Sequence, residues 1–264
     1  MLETSDPTGK TNVVEGFYFT LLNEILEAHG QMRLVQIGAH AGNQNDPLFR
    51  FIKTTFPKFP DKCKAVLVEP IPRHFRELRA TYADCPGVYF ANVAIAENNE
   101  PKTIWSLRDD VDPAAHGFPP WFTQLSSFNP GRVNLLEEIT PEMRDFLKQN
   151  TIPGLVRCST FEALLESFRM EQVELIVIDV EGYELEILKT IDFETAPPQF
   201  LIFEYALFDA ETKQACEKLL SENHYSQMDI SGDTVCFLDF AGPVIFTPLL
   251  DDRGNGRRAE RSES

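Results

Sequence analysis

The chain lacks the sequence features of several large classes of protein. Its five cysteines show no CxxC or histidine-paired spacing, so the sequence predicts neither a disulfide framework nor a zinc site. No stretch approaches the roughly 18 to 20 apolar residues of a membrane span. The N-terminus also lacks a basic region followed by an apolar run. We therefore expect reduced thiols, a cytoplasmic protein and no membrane partner.

Basic residues are also scarce. The 24 lysines and arginines are outnumbered by 41 aspartates and glutamates, which gives a formal net charge of −17. Most of such a surface would repel a phosphate backbone, so nucleic acid is not expected as a partner.

Length and composition favour one domain. With 264 residues and 43% hydrophobic content, the chain can bury one sizeable core, and we expect that domain to span residues 1–250. The last residues, 251–264, are polar, mixed in charge and almost free of apolar side chains. They predict a disordered tail.

Short apolar runs alternate with segments of helical period, a pattern typical of a parallel sheet with helices on its faces. The predicted strands lie at 33–39, 64–70, 88–96, 174–182 and 199–206. Asp46 and Pro47 predict the cap and first position of a helix after the first strand. A further short strand leads into a helix capped by Ser159 or Thr160, and the end of the chain predicts a hairpin that turns at the sequence SGD.

The alternation breaks over about 97–150, where prolines and aromatic residues replace periodic signals until an amphipathic stretch at 131–149. An insertion of this size usually carries a function.

The sequence VQIGAHAGN, residues 35–43, predicts a strand that ends in a glycine-containing turn. Glycines let a backbone pass close to a ligand, and Gly38 and Gly42 fit such a turn. The dinucleotide pattern GxGxxG would need glycine at positions 40 and 43, which are His40 and Asn43 here. Pyrophosphate binding is therefore disfavoured, and a tight turn without a ligand remains the alternative.

Two polar residues follow the next strands. Glu69 ends the second strand, at the same edge of the sheet as the glycine turn, where a carboxylate can accept both hydroxyls of a ribose. Asn92 lies among apolar residues in FANVAIA. Its amide suits an adenine edge but is equally able to satisfy loop backbone.

The sequence IDVEGYELE places Asp179 and Glu181 two residues apart at the end of a strand, and alternation predicts that both point to one side. Such a pair binds a cation or a polarised group, or one member accepts protons with a raised pKa. The alternative is helix capping by Glu181 and Glu184. Glu204 ends the fifth strand in a similar place, with a weaker case.

Seven segments follow one another along the chain: VQIGAHAGNQNDPL, VLVEPIPRHFREL, FANVAIA, QLSSFN, CSTFEALL, LIVIDVEGYELEILKTIDF and LIFEY. In this order, over roughly residues 33–240, they resemble the FkbM family of S-adenosylmethionine-dependent methyltransferases. The resemblance implies an α/β protein with the Rossmann-like class I methyltransferase fold, whose mostly parallel sheet has seven strands and helices on both faces. The predicted C-terminal antiparallel hairpin fits this sheet.

The resemblance also implies a cofactor site for S-adenosylmethionine. By position, its methionine and ribose side would be lined by Gln36, Gly38, His40 and Gly42, its ribose hydroxyls bound by Glu69, its adenine bound by Asn92, and its sulfonium bordered by Asp179. The chain departs from the family pattern at two positions, since an acidic residue is common at Gln36 and asparagine at His40. Gln36 lacks the charge that would attract the methionine ammonium, so we expect weaker or differently arranged cofactor binding.

The implied reaction is methyl transfer to a hydroxyl of a sugar or another small metabolite. Our candidates for the base that accepts the hydroxyl proton are Asp179, Glu181 and His40, in that order. No metal is expected, because the sequence places no third carboxylate beside Asp179 and Glu181.

The insertion, with Trp105, Trp121, Phe122 and the SSF turn, is expected to form the acceptor pocket. Two alternatives remain at this stage: a catalytically silent cofactor-binding protein of the same fold, and an NAD-dependent oxidoreductase, against which the missing GxGxxG argues.

Overall fold

The computed structural model describes residues 10–43, 46–136, 139–205, 208–230 and 232–238. The strands are β1 (Met32–Ile37), β2 (Cys63–Val68), β3 (Val88–Ala91), β4 (Ala94–Ile95), β5 (Lys102–Leu107), β6 (Thr151–Val156), β7 (Cys158–Ser159), β8 (Leu175–Ile178), β9 (Phe200–Glu204), β10 (Tyr225–Ile230) and β11 (Asp233–Leu238). The α-helices are α1 (Lys10–His29), α2 (Phe49–Thr55), α3 (Pro72–Thr81), α4 (Pro141–Asn150), α5 (Phe161–Ser167), α6 (Glu184–Leu188) and α7 (Ala210–Glu222).

Seven of these strands form one sheet, in the spatial order β10-β11-β9-β8-β1-β2-β3. The five strands from β9 to β3 run parallel, whereas β10 and β11 pair with each other antiparallel and β11 pairs antiparallel with β9. The predicted fold class is confirmed, including the C-terminal antiparallel hairpin.

Helices cover both faces of this sheet, which explains why its central strands are nearly continuous apolar runs. Leu34 and Leu67 point into a core beneath α1 and α2, while Val35 and Val66 point into a second core beneath α5, α6 and α7. All four side chains are fully buried.

The predicted strand at 88–96 is two strands in the structure. β3 belongs to the main sheet, but β4 pairs with β7 in a separate two-stranded sheet. The prediction of one strand was wrong because FANVAIA is apolar almost throughout, and a continuous apolar run does not show where the chain changes partners. The short strand before α5 likewise pairs with β4 and does not join the main sheet.

The insertion contains regular structure, of which the sequence indicated only the amphipathic stretch at 131–149. β5 and β6 form an antiparallel pair, and α4 begins after Thr140, whose hydroxyl accepts a hydrogen bond from the Met143 N–H. Buried apolar side chains give the insertion a core of its own, formed by Leu107, Phe122, Leu125, Val133, Leu136, Ile139 and Leu147.

Two predicted helix starts have different outcomes. Thr160 caps α5 by accepting a hydrogen bond from the Ala163 N–H, as predicted. Pro47 is not the first residue of α2, which begins at Phe49; Asp46 instead accepts a hydrogen bond from the Leu48 N–H in the preceding turn.

Among the described residues, no helix is both long enough and apolar enough to cross a membrane. The predicted tail at 251–264 lies outside the described residues.

Candidate active site

A cavity opens at the edge of the sheet where the parallel strands end. Its walls come from the last residues of β1, β2, β8 and β9, the loops that follow them, and residues 124–128 of the insertion. Parallel strands deliver their C-terminal loops to one edge, so residues far apart in the sequence meet there.

Gln36 and Asp46 form a polar pair in the wall of this cavity. The Gln36 Nε2 donates a hydrogen bond to Oδ2 of Asp46 over 3.2 Å. Gln36 is 5% exposed, and its Oε1 atom has no hydrogen-bond partner among the described residues. Burial raises the pKa of Asp46 to about 6, against the opposing effect of hydrogen bonds from Leu48 and Gln36. The sequence pattern indicated Asp46 only as a helix cap and not as part of the cavity.

Gly38 makes the turn after β1 possible by packing directly against the loop after β8. Its φ is +88°, and a Cβ atom there would lie 1.7 Å from the carbonyl oxygen of Asp179. Glycine is therefore required by the contact between two backbone segments, in addition to any approach by a ligand.

Gly42 is not brought to the cavity. Its φ is +70°, and a Cβ atom would lie 2.5 Å from the ring of Tyr82, whose hydroxyl donates to the Gly42 carbonyl. The structure thus gives Gly42 the role of a tight turn packed against α3, which was the alternative to ligand binding.

Glu69 is a buried carboxylate that organises the glycine turn. Its Oε2 accepts a hydrogen bond from the His40 N–H over 2.9 Å, and its Oε1 accepts one from the Ile71 N–H over 2.7 Å. Burial raises the pKa of Glu69 to about 7, although both backbone donors act to lower it. Each carboxylate oxygen has two lone pairs, so Glu69 retains acceptor capacity toward a ligand in the cavity.

Asn92 is not part of the cavity wall. Its Nδ2 donates to the carbonyl oxygens of Glu69 and Pro70, over 2.8 and 3.0 Å. Asn92 therefore holds the loop that carries Glu69, which was the alternative to adenine binding.

His40 lines the cavity and packs on His74 from α3, with the two ring centroids 3.8 Å apart. Burial lowers the pKa of His40 to about 3 and that of His74 to about 4. His40 is therefore a neutral ring at pH 7 and a weak base.

Three carboxylates meet on the opposite side of the cavity. Oxygen atoms of Asp179, Glu181 and Glu204 lie within 4.8 Å of one another. Asp179 is an exposed residue at the cavity, although protein atoms crowd its carboxyl group. Burial first, and the charges of Glu181 and Glu204 second, raise its pKa well above the usual value. Burial, followed by repulsion from Glu181, raises the pKa of Glu204 to about 8.

Glu204 provides the third carboxylate that the sequence did not place beside Asp179 and Glu181. β9 is the parallel neighbour of β8, so their C-terminal residues are adjacent. The sequence does contain a signal for this contact, because Asp179 and Glu204 both lie at the C-terminal ends of predicted parallel strands. Such ends meet at one edge of a sheet.

Glu181 is held by the insertion. Its Oε2 accepts hydrogen bonds from Nε and Nη2 of Arg132, and its backbone carbonyl accepts one from the Ser127 hydroxyl. β8 ends before this residue, and its φ of +60° shows that simple strand alternation does not orient the side chain.

Glu184, and not Glu181, caps the backbone N–H groups of the loop after β8. The Glu184 carboxylate accepts hydrogen bonds from the N–H groups of Val180 and Gly182, and the residue is 1% exposed. The interpretation of Glu181 as a helix cap was wrong.

The remaining part of the cavity is apolar and aromatic. The rings of Phe128 and Tyr183 meet edge to face at 5.0 Å, and Ile95 and Ile104 lie beside them in the wall. Trp121 and Phe122, which were expected to form the acceptor pocket, pack instead within the core of the insertion. Trp105 pairs through its backbone with Ser127 and so fixes the segment that lines the cavity.

A comparison with protein families matches residues 36–227 to the family described as the methyltransferase FkbM domain. The chain belongs to the FkbM methyltransferase family. Membership confirms the family that the sequence resemblance indicated. The alternative of an NAD-dependent oxidoreductase is therefore dropped. S-adenosylmethionine is accordingly the cofactor. No curated protein sequence gives a significant match to the chain.

Solved structures similar to this FkbM methyltransferase include methyltransferases of low sequence identity. Precorrin-6y C5,15-methyltransferase from Geobacter metallireducens is 8% identical with a TM-score of 0.40, and the match covers 84% of this chain and 86% of that one. The N-methyltransferase NodS from Bradyrhizobium japonicum is 12% identical with a TM-score of 0.38, covering 84% and 92%.

The side chains that line the cavity fit S-adenosylmethionine. The cofactor carries ribose hydroxyls, an adenine ring, a positively charged sulfonium and an amino-acid end with an ammonium and a carboxylate group. The cavity has a carboxylate with spare acceptor capacity at Glu69, an aromatic and aliphatic region, and at Gln36 Oε1 an acceptor that no described residue pairs with.

Proposed function

We propose that this FkbM methyltransferase transfers the cofactor's methyl group to a hydroxyl of a sugar or another small metabolite. The observation that carries the proposal is Asp179, a carboxylate of raised pKa that faces the cavity beside Glu204. A base is most effective when its pKa lies near the working pH, and burial together with neighbouring carboxylates moves Asp179 in that direction.

S-adenosylmethionine supplies an already activated methyl group, which the acceptor oxygen takes as the sulfonium becomes a neutral thioether. Asp179 accepts the hydroxyl proton. Glu204 stabilises the protonated state of this pair, because two adjacent carboxylates bind a proton more tightly than one.

The chain positions the cofactor with residues on the other strands. Glu69 binds the ribose hydroxyls, with its orientation fixed by the N–H groups of His40 and Ile71. Phe128 and Tyr183, in the apolar region, would hold the adenine, in place of the role expected of Asn92. Asp179 would face the sulfonium.

Glu181 and His40 are less suited to act as the base than the sequence suggested. Arg132 holds the Glu181 carboxylate and opposes the rise in its pKa that burial causes. His40 is a weak base with a pKa of about 3. We assign both residues a role in shaping the site, and Asp179 remains the first candidate for the base.

Two measurements test the proposed function. Calorimetry should show binding of S-adenosylhomocysteine, and mass spectrometry should show methyl transfer to members of a panel of hydroxylated metabolites. A panel of primary amines of similar size is the matched control. Transfer to amines but not to hydroxyl groups would contradict O-methylation. Cofactor binding without any transfer would support the catalytically silent alternative.

A further inference from the structure

The amide oxygen of Gln36 is a buried acceptor in the cavity wall with no partner among the described residues. Gln36 is 5% exposed, and its Nε2 is used by Asp46 over 3.2 Å, whereas no described residue donates to Oε1. An unsatisfied buried acceptor is unfavourable, and most such groups in proteins find a donor. A hydrogen-bond donor on a bound molecule would satisfy this atom.

Asp46 is held next to this acceptor by the turn before α2. Its Oδ1 accepts a hydrogen bond from the Leu48 N–H over 2.8 Å, and its backbone carbonyl accepts one from the Phe49 N–H. None of the ion pairs formed by the described residues includes Asp46. The Asp46 carboxylate is therefore fixed in the cavity wall with no cation of the described chain beside it.

A neutral acceptor and a carboxylate oxygen held together suit a group that is positively charged and carries several N–H donors. A primary ammonium has three such donors and a full charge. The geometry points to an ammonium-binding site formed by Gln36 Oε1 and Asp46 Oδ2, and we assign it to the amino-acid end of S-adenosylmethionine. This inference rests on the proposed function.

The ammonium site bears on the expectation that glutamine at position 36 leaves the cofactor's ammonium without a charged partner. Glutamine there lacks the charge that an acidic residue would supply, which led to the prediction of weaker or differently arranged cofactor binding. Asp46 comes from the segment before α2 and brings a carboxylate to the side chain of Gln36. The charge complement is thus supplied by a second residue and not lost.

An amine on the acceptor is the other source of the same ligand chemistry. The position of Gln36 favours the cofactor. Gln36 lies on β1, directly before the turn whose His40 N–H orients Glu69, so one strand end serves both the ammonium and the ribose. The carboxylates assigned to the acceptor side, Asp179 and Glu204, lie at the ends of β8 and β9.

The test compares two probes that differ in the amino-acid end. S-adenosylhomocysteine carries the ammonium and 5′-methylthioadenosine lacks it, while both contain the adenosine thioether. Asp46→Asn keeps the shape and the acceptor for the Leu48 N–H but removes the charge. Calorimetry should show a loss of roughly 10-fold or more in the affinity for S-adenosylhomocysteine, and a change of less than about 2-fold for 5′-methylthioadenosine.

Two further variants complete the design. Asp61→Asn removes one charge from an exposed position outside the cavity and should leave both affinities unchanged. Gln36→Met removes the amide at similar size and should weaken S-adenosylhomocysteine selectively, which keeps the test available if Asp46→Asn does not fold. A thermal melt of each variant reports folding.

An equal loss for both probes in these variants, or no loss for S-adenosylhomocysteine, would overturn the ammonium site. Unchanged probe binding combined with a raised KM for amine acceptors would assign the site to the acceptor instead, which also overturns it. Failure of the unaltered protein to bind either probe would instead count against the proposed function itself.

Discussion

The guanidinium group of Arg132, from the insertion, binds the carboxylate of Glu181, from the loop after β8. Nε and Nη2 of Arg132 both donate to Glu181 Oε2, and the two side chains are only 6% and 16% exposed. A buried charge pair is costly to break because the remaining charge keeps its desolvation penalty. The pair therefore fastens the insertion to the edge of the sheet that carries the cavity.

Removal of the Arg132 charge should destabilise the protein. Arg132→Met leaves the Glu181 carboxylate buried without its partner, and the expected loss is roughly 3 kcal/mol in the free energy of unfolding. Chemical denaturation measures it. Glu181→Gln added to Arg132→Met should recover part of the loss, since the uncompensated charge is then gone. A double variant whose loss equals the sum of the two single losses would show that the residues are not coupled.

Asp179→Asn should separate catalysis from cofactor binding. The change keeps the size of the side chain and removes its charge and basicity, so turnover should fall about 10²-fold or more while cofactor affinity falls less. Paired kinetics and calorimetry measure both quantities. Glu181→Gln is the matched control and should retain most turnover, with its cost appearing in the thermal melt. Should Asp179→Asn remain active and Glu181→Gln be inactive, the two roles are reversed; should both remain active, Glu204 is the next candidate.

The stability of the free protein should fall as the pH rises from about 5 to about 8. The folded-state pKa values of Glu204 and Glu69 are raised to about 8 and about 7, from ordinary values of 4.5. The folded protein thus binds these protons more tightly than the unfolded chain, and this stabilisation is lost as the pH rises through the folded pKa values.

His40 and His74 set the opposite trend at lower pH. Their pKa values are lowered by burial from 6.5 to about 3 and about 4, so stability should fall as the pH drops from 6.5 toward those values. Melting temperatures across the pH range should show a maximum between the two effects. Glu204→Gln should flatten the alkaline side. An unchanged slope in this variant would show that Glu204 does not titrate as described.

Gly38→Ala should disrupt the fold of the site. The added Cβ would meet the Asp179 carbonyl oxygen at 1.7 Å, and φ of +88° is unfavourable for alanine. We expect a loss of more than about 2 kcal/mol in the free energy of unfolding. Gly16→Ala, in α1, is the matched control because a Cβ atom there would have no contact within 4 Å among the described residues. It should be neutral or stabilise by up to about 1 kcal/mol, the difference in helix propensity.

Activity should persist without a divalent metal. Asp179, Glu181 and Glu204 form a group of carboxylates close enough to hold an ion. Arg132 already occupies Glu181, and the pKa of about 8 at Glu204 favours a bound proton over a cation there, which leaves only Asp179 of this group to hold an ion. Methyl transfer measured with EDTA should equal that measured without it. Loss of activity in EDTA that magnesium restores would instead assign the cluster to a metal.

Local sequence patterns were sufficient to predict the central sheet, the edge at which the site lies and several residues of the cavity. Apolar runs buried on both faces mark the central parallel strands, and the residues that follow such strands are delivered to one edge. Gly38, Glu69 and Asp179 could be placed on this basis because strand ends and glycine turns are local features of the chain, whereas Gln36 was placed by the resemblance to the family.

The partners of these residues depend on contacts between elements that are distant in the sequence. The contacts of Asp46 with Gln36, Arg132 with Glu181, and His74 with His40 join different elements, and Glu204 reaches Asp179 from a neighbouring strand. Local sequence patterns carry no information about such contacts, because they depend on how helices and insertions pack against the sheet. The same packing sets the burial of each carboxylate, and burial is the largest cause of their raised pKa values.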